Sequence, residues 1–301
     1  MPPDSVAGPA TGGRGRAPLP TNTDGLPPIE PTFRAALESA LLGLDIRLGP
    51  AVQAGIEAHV RLLMAWNVAI NLTAIRDPEA IALEHVADSL TAIALIEAVD
   101  IGPRPALLDL GSGAGYPGLP LGLALPAGRL TLVDSVAKKA RFLQVAGDAA
   151  LDAAAALGLD GPRLEVVADR AEAVARHRRH RGRYDIVTAR AVGSLAELVE
   201  LALPMLRPGG RMIAWKREVE TPSIGSAGSA ATAVRTLDRP NPAQELADAE
   251  RLLPRLGGVI ERVVRVGLPG LEDHRLVVVR AERSAHASYP RSPTERRRNR
   301  A

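Results

Sequence analysis

The run Leu107-Leu108-Asp109-Leu110-Gly111-Ser112-Gly113-Ala114-Gly115-Tyr116-Pro117-Gly118 constrains this chain more than any other segment. An apolar stretch that ends in an acid and opens into glycines at alternate positions reads as a buried parallel strand turning sharply into a helix. Glycine lets the backbone make that turn and lets a ligand lie against bare main chain. The next apolar run, Arg129-Leu130-Thr131-Leu132-Val133-Asp134, ends in a second acid. Asp134 follows Gly111 at about the 20-residue interval at which a carboxylate grips a ribose in nucleotide-binding α/β folds. A lone glycine loop would mean little. Strand, loop, helix, strand and terminal acid together predict a nucleotide-type site at the C-terminal edge of a parallel sheet.

The rest of the chain fits that frame. Short β runs at 106–110, 129–134, 163–168, 184–189 and 211–216 alternate with helical segments, and runs at 259–267 and 274–281 follow. Seven strands with helices between the first five predict a doubly wound α/β sheet. Upstream, Val52, Ile56, Val60 and Leu63 recur at helical spacing after Pro50, which can sit in a first turn. Asp77-Pro78 reads as the N-cap and first residue of a further helix, with Leu83, Val86, Leu90 and Ile93 on its apolar side. Residues 32–103 are therefore expected to form a helical cap on a domain spanning 104–284. Residues 218–243, rich in Ser, Gly, Ala, Thr and Pro, read as a flexible insertion in that domain. Residues 1–31 read as a disordered, proline-rich extension and 285–301 as a basic tail.

Composition removes several classes of chemistry. With no cysteine in 301 residues, disulfides, thiolate metal sites and thiol nucleophiles are excluded. No metal site is expected. No apolar stretch approaches the ~18 residues of a membrane span, and the N-terminus lacks the apolar core of a secretory signal, so a soluble cytoplasmic protein is expected. The net charge of +3 comes from 34 arginines and three lysines against 34 acids, so single arginines are weak functional signals. Of the three lysines, Lys138 and Lys139 come after the second predicted strand and Lys216 ends the fifth.

Two cofactor classes suit the glycine loop. Dinucleotide sites use G-x-G-x-x-G, which seats a pyrophosphate on a helix N-terminus. Here the spacing is G-x-G-x-G with Asp109 two residues ahead, a form that suits a phosphate-free ligand with an amino-acid end. S-adenosylmethionine is such a ligand, and this reading is favoured over a dehydrogenase. Asp134 is placed on the ribose hydroxyls, with an N-cap of the following helix as its structural alternative.

The segments Asp109 to Leu121 and Leu132-Val133-Asp134-Ser135, with Lys138-Lys139 and Arg141-Phe142-Leu143, resemble the bacterial small-subunit ribosomal RNA guanine-N7 methyltransferase family, RsmG, formerly glucose-inhibited division protein B. Trp66-Asn67, Asn71-Leu72-Thr73, Arg76-Asp77-Pro78 and His85-Val86-Ala87-Asp88-Ser89 extend the likeness upstream. Asp185 to Ala191, Leu206 to Gly210, Trp215-Lys216, His274 to Val279 and Tyr289-Pro290-Arg291 extend it downstream. The resemblance implies a seven-stranded class I S-adenosylmethionine-dependent methyltransferase with a helical cap. It further implies methylation of N7 of guanosine 527, with 16S ribosomal RNA or the small subunit as partner. On the same ground Gly111, Gly113, Gly115 and Tyr116 would hold the cofactor. Asp109 would face its methionine end, and Ala171 and Glu172 would lie along its adenine edge, with Asp169 near the adenine. Arg190 would serve cofactor binding and catalysis.

The segment Thr188-Ala189-Arg190-Ala191 ends the fourth strand and lacks the Asn/Asp-Pro-Pro-aromatic sequence of exocyclic-amine methylation. Cytosine-C5 chemistry needs a cysteine adduct. Guanine N7, an in-plane lone pair, needs neither deprotonation nor covalent help. Arg190 suits bidentate binding of a cofactor carboxylate or a substrate phosphate, or a plain salt bridge. His85 and Asp88, three apart, are expected to brace the Asn71 loop. The run His177 to Arg183 is a solvated loop or an RNA contact, and the C-terminal arginines suit RNA better. A small-molecule methyltransferase is the alternative function, and a non-catalytic ribosome-assembly protein comes third.

Overall fold

The computed structural model describes residues 18–218 and 241–298. Most of the 218–243 insertion, the first 17 residues and the last three lie outside the described residues. The sheet has seven strands: β1 (Ala106–Leu110), β2 (Arg129–Val133), β3 (Arg163–Val167), β4 (Tyr184–Arg190), β5 (Leu206–Arg217), β6 (Gly258–Arg265) and β7 (His274–Ala281). They lie in the order β3-β2-β1-β4-β5-β7-β6. β1 to β5 are parallel, and β7 runs antiparallel to β5 and β6. The doubly wound α/β sheet of seven strands expected from the pattern is present. The order reverses at β1, between β2 and β4, so a crevice opens there at the strand C-termini.

Strand residues alternate between two cores. Leu107, Leu130, Leu132, Ile186, Ile213 and Leu276 face one side, while Leu108, Leu110, Val187, Met212, Ala214 and Val277 face the other. The first side is covered by α1 (Pro31–Gly43), α2 (Pro50–Ile70), α3 (Pro78–Ala80), α4 (Asp88–Leu90), α5 (Ile93–Glu97), α6 (Gly118–Ala124) and α7 (Ala137–Ala155). The other side is covered by α8 (Ala171–Arg176), α9 (Leu195–Ala202) and α10 (Pro242–Leu256). The cap thus shares one continuous core with the sheet. Its α2 lies so close to α7 that a Cβ on Gly55 would sit 2.8 Å from the carbonyl oxygen of Ala150. Of the predicted stripe on α2, Ile56, Val60 and Leu63 are fully buried.

Asp77 caps the next helical run as expected, its carboxylate accepting from the Ala80 N–H. Between α3 and α4 that run widens into a π-helix, Ile81–Ala87. The wider turn shifts the buried face, so Ile81 and Ala82 are buried with Val86 and Leu90 while Leu83 is half-exposed.

Both chain ends depart from the compositional reading. Residues 18–30 do not behave as a free extension. Arg61 donates to the carbonyls of Thr23, Leu26 and Pro27, Trp66 Nε1 donates to that of Pro20, and Ile29 is buried. A proline-rich stretch leaves carbonyls without partners of their own, and a guanidinium fork can gather several at once. At the other end, Arg181 donates to the carbonyls of Ala285, His286 and Tyr289, and Arg176 to that of Pro290. Arg291 forks onto the buried Glu200, and α11 (Pro293–Arg298) brings Arg296 onto Glu172. Arg181 in the basic run therefore holds chain, and His180 is buried against the Tyr184 hydroxyl.

Candidate active site

A cavity of about 800 Å³ opens where the glycine loop, the ends of β4 and β5, the start of β7 and the cap converge. Its lining includes Gly111, Gly113, Tyr116 and Arg190 from the predicted set, together with Thr73, Glu84, His85, Asp88, Trp215 and His274. Gly111, Gly113 and Gly115 all have positive φ, at 68°, 54° and 92°, which accounts for three glycines in so short a turn. Their free sides differ. A Cβ on Gly111 would meet Val192 Cγ2 at 2.5 Å, and one on Gly115 would meet His59 and Leu119 at 2.8 Å. On Gly113 it would find nothing nearer than the Gly111 carbonyl oxygen at 3.7 Å. Gly113 is thus the one of the three that offers bare backbone to open space.

The two strand-end acids support the loop from beneath. Asp109 is buried and accepts from Thr188 Oγ1 at 2.7 Å and from the Gly118 N–H at 3.3 Å. Burial raises its pKa to about 6, against the lowering by its Thr188 hydrogen bond. Asp134 accepts from the Gly113 N–H at 3.0 Å and the Val136 N–H at 2.8 Å, so it ties the loop to the start of α7. Asp109, Gly115 and Asp134 are not among the cavity-lining residues. Ala171 and Glu172 stand farther along the sheet edge beside α11, where Glu172 is paired with Arg296. Asp169 is exposed and accepts from the Arg170 N–H.

Arg190 is the most heavily supported lining residue. Its Nη1 donates to the Glu84 carbonyl at 2.8 Å and to Asp88 Oδ2 at 3.0 Å. Its Nη2 lies 3.3 Å from His85 Nδ1, and its guanidinium stands 5.4 Å over the Tyr116 ring. Because Arg190 has only protons to offer, His85 Nδ1 must accept, and its Nε2–H donates to Thr73 Oγ1 at 2.8 Å. Burial, seconded by the Arg190 charge, lowers the His85 pKa to about 3. The expected brace of His85 on the Asn71 loop is therefore present, reinforced by Asn67, whose amide bonds both backbone groups of Thr73. Asp88 turns elsewhere, to Arg190 and to His274 Nδ1 at 2.9 Å.

Tyr116 is sandwiched between His59 and His85, each with ring centroids 4.7 Å away. Its hydroxyl is buried without a hydrogen-bond partner and belongs to a cavity-lining residue. A buried orphan hydroxyl and the open backbone at Gly113, beside the Arg190 cation, fit a polar, amino-acid-bearing ligand. Among the residues that the sequence did not single out, His59 donates from Nε2 to the Ala114 carbonyl at 2.7 Å and so fixes the loop from the cap. Nothing local marks it, since its partner is 55 residues away.

The family described as "GidB: rRNA small subunit methyltransferase G" matches residues 53–235. A protein named ribosomal RNA small subunit methyltransferase G from Symbiobacterium thermophilum is 36% identical over 86% of this chain and 94% of its own length. Proteins of the same name from Roseiflexus castenholzii and Staphylococcus carnosus are 42% and 38% identical. They cover 76% and 82% of this chain and 83% and 90% of their own lengths. Among the described residues no helix is long and apolar enough to cross a membrane. The glycine loop at the sheet's switch point, the Arg190 cluster and these likenesses agree, and the chain belongs to the rRNA small subunit methyltransferase G family.

Proposed function

We propose that the protein transfers a methyl group from S-adenosylmethionine to N7 of a guanosine in 16S ribosomal RNA, the resemblance pointing to guanosine 527. The observation that carries the choice of N7 is the engagement of the candidate bases in the cavity wall. His85 uses both ring nitrogens, and His274 gives Nδ1–H to Asp88 while Nε2 lies 2.6 Å from Arg217 Nε. Asp88 is taken by Arg190, Glu84 by Arg217 and Glu245 by Lys216. A wall built this way suits a nucleophile that already carries its lone pair, as guanine N7 does. Bound S-adenosylmethionine supplies an electrophilic methyl on a positively charged sulfur.

The chain's own part is alignment and exclusion of water. The Gly113 backbone and Tyr116 hydroxyl would hold the amino-acid and ribose region, and Asp134 would keep the loop in shape while offering lone pairs to ribose hydroxyls. Arg190 would meet a carboxylate, with Asp109 setting the turn beneath. Ala171 and Glu172 would border the adenine.

Titration with S-adenosylmethionine and S-adenosylhomocysteine, followed by tritium transfer to small-subunit RNA and to a pool of small metabolites, tests the reading. Binding with transfer to RNA is the expected result. Transfer to metabolites alone would favour a small-molecule enzyme, and no binding would leave a scaffold protein.

A further inference from the structure

Asp88 is the junction of the site. It is 1% exposed, yet three groups from distant parts of the chain converge on it. Oδ2 accepts from Arg190 of β4, Oδ1 accepts from His274 of β7, and its carbonyl accepts from Trp215 Nε1 of β5 at 2.9 Å. It lies where the π-helical turn ends, the same turn that aims the Glu84 carbonyl and His85 at Arg190. A widened turn of this kind is costly in a helix and recurs at functional sites. Here it turns three acceptors of the cap, the Glu84 carbonyl, His85 Nδ1 and Asp88 Oδ2, onto one guanidinium.

We propose that Asp88 is a positioning residue for ligand binding. It locks the Arg190 guanidinium by one oxygen, is itself locked by His274 through the other, and so holds the remaining donors of Arg190 toward a ligand carboxylate. This inference rests on the function proposed above. The sheet order supports a carboxylate as the occupant. A ligand whose nucleoside end lies toward β2 and β3 must carry its amino-acid end across β1 to β4, where Arg190 is paired in register with Trp215. Without Asp88 the guanidinium would keep one carbonyl and one imidazole partner, both neutral, and its charge would be uncompensated in a largely buried place.

The test is calorimetric binding of two ligands to the full-length protein: S-adenosylhomocysteine, which has the carboxylate, and 5′-methylthioadenosine, which lacks it. Asp88→Asn should weaken S-adenosylhomocysteine about 10- to 100-fold and leave methylthioadenosine within about twofold. In an Arg190→Ala background, Asp88→Asn should have no further effect, since Asp88 acts through that side chain. His274→Asn keeps a donor near Nδ1 and should bind like wild type, whereas His274→Leu should repeat the selective loss even if Asp88→Asn fails to fold. Equal weakening of both ligands in the folded variants, or unchanged affinity for S-adenosylhomocysteine, overturns the inference. Failure of the wild-type protein to bind either ligand contradicts the proposed function instead.

Discussion

Single residues in the glycine loop divide into those that make room for the chain and those that make room for a ligand. Gly111 and Gly115 are pressed by Val192, His59 and Leu119, whereas Gly113 faces open space. Gly111→Val should therefore act mainly on stability, because its side chain collides with Val192 and demands a left-handed backbone. Gly113→Val should cost about 1–2 kcal/mol for the backbone alone, and should reduce affinity for S-adenosylmethionine by at least about tenfold through occupied space. Thermal melting and calorimetry on both variants separate the effects. A Gly113→Val protein that is folded and binds normally would remove this glycine from the site. The loop's spacing and the acids at 109 and 134 were legible from the sequence because a turn and its caps are local. Which glycine faces outward was not legible, since that depends on Val192 and His59, which reach the loop from 81 and 56 residues away.

Among the elements, the strands were the most readable, because a buried parallel strand writes a continuous apolar run. β1, β4 and β7 appear within a residue of the expected bounds, while β5 begins earlier, at Leu206, where Arg207-Pro208-Gly209-Gly210 reads as a turn. The docking of the basic C-terminal segment is not legible from composition, which does not reveal an acidic partner elsewhere in the chain. Glu200 is 1% exposed and receives three donors from Arg291. Arg291→Ala removes the fork from a buried carboxylate and should cost about 3–5 kcal/mol. The check is a urea unfolding curve with and without the substitution. A loss below about 1 kcal/mol, the range of an exposed pair, would show that the segment is only loosely docked. The π-helical turn and the Asp88 junction had no local signature beyond the His85-to-Asp88 spacing, since β4, β5 and β7 complete the junction in space.

For the whole molecule, buried ionisable groups set the response to pH. The unfolded chain takes up protons on His59 and His85 near pH 6.5, but burial lowers the folded values to about 4 and about 3. Their contribution is therefore present above pH 6.5 and is lost as the pH falls toward those folded values. Asp109 works in the opposite sense. Its folded value of about 6 lies above its unfolded one, so its contribution is present in acid and lost as the pH rises through that window. Two histidines outweigh one aspartate, and acidification from pH 6.5 to 4 should cost the fold about 3 kcal/mol net. Asp109→Asn should steepen that fall by removing the opposing group, and urea midpoints across the range would reveal a flat response if the assignment is wrong. The chemical step should be nearly independent of pH between 6.5 and 9, because the reacting lone pair needs no base. Single-turnover rates with a rise through an apparent pKa near 7 would require an ionising catalytic group. Mapping the methylated atom distinguishes N7 from every other acceptor on the RNA. Small-subunit RNA from cells lacking the gene is incubated with the purified protein and S-adenosylmethionine, then searched base by base for N7-methylguanosine. One new N7-methylguanosine, at position 527, is the predicted result, whereas methyl groups on another atom or another nucleotide, or none on the RNA, would contradict methylation of that guanosine.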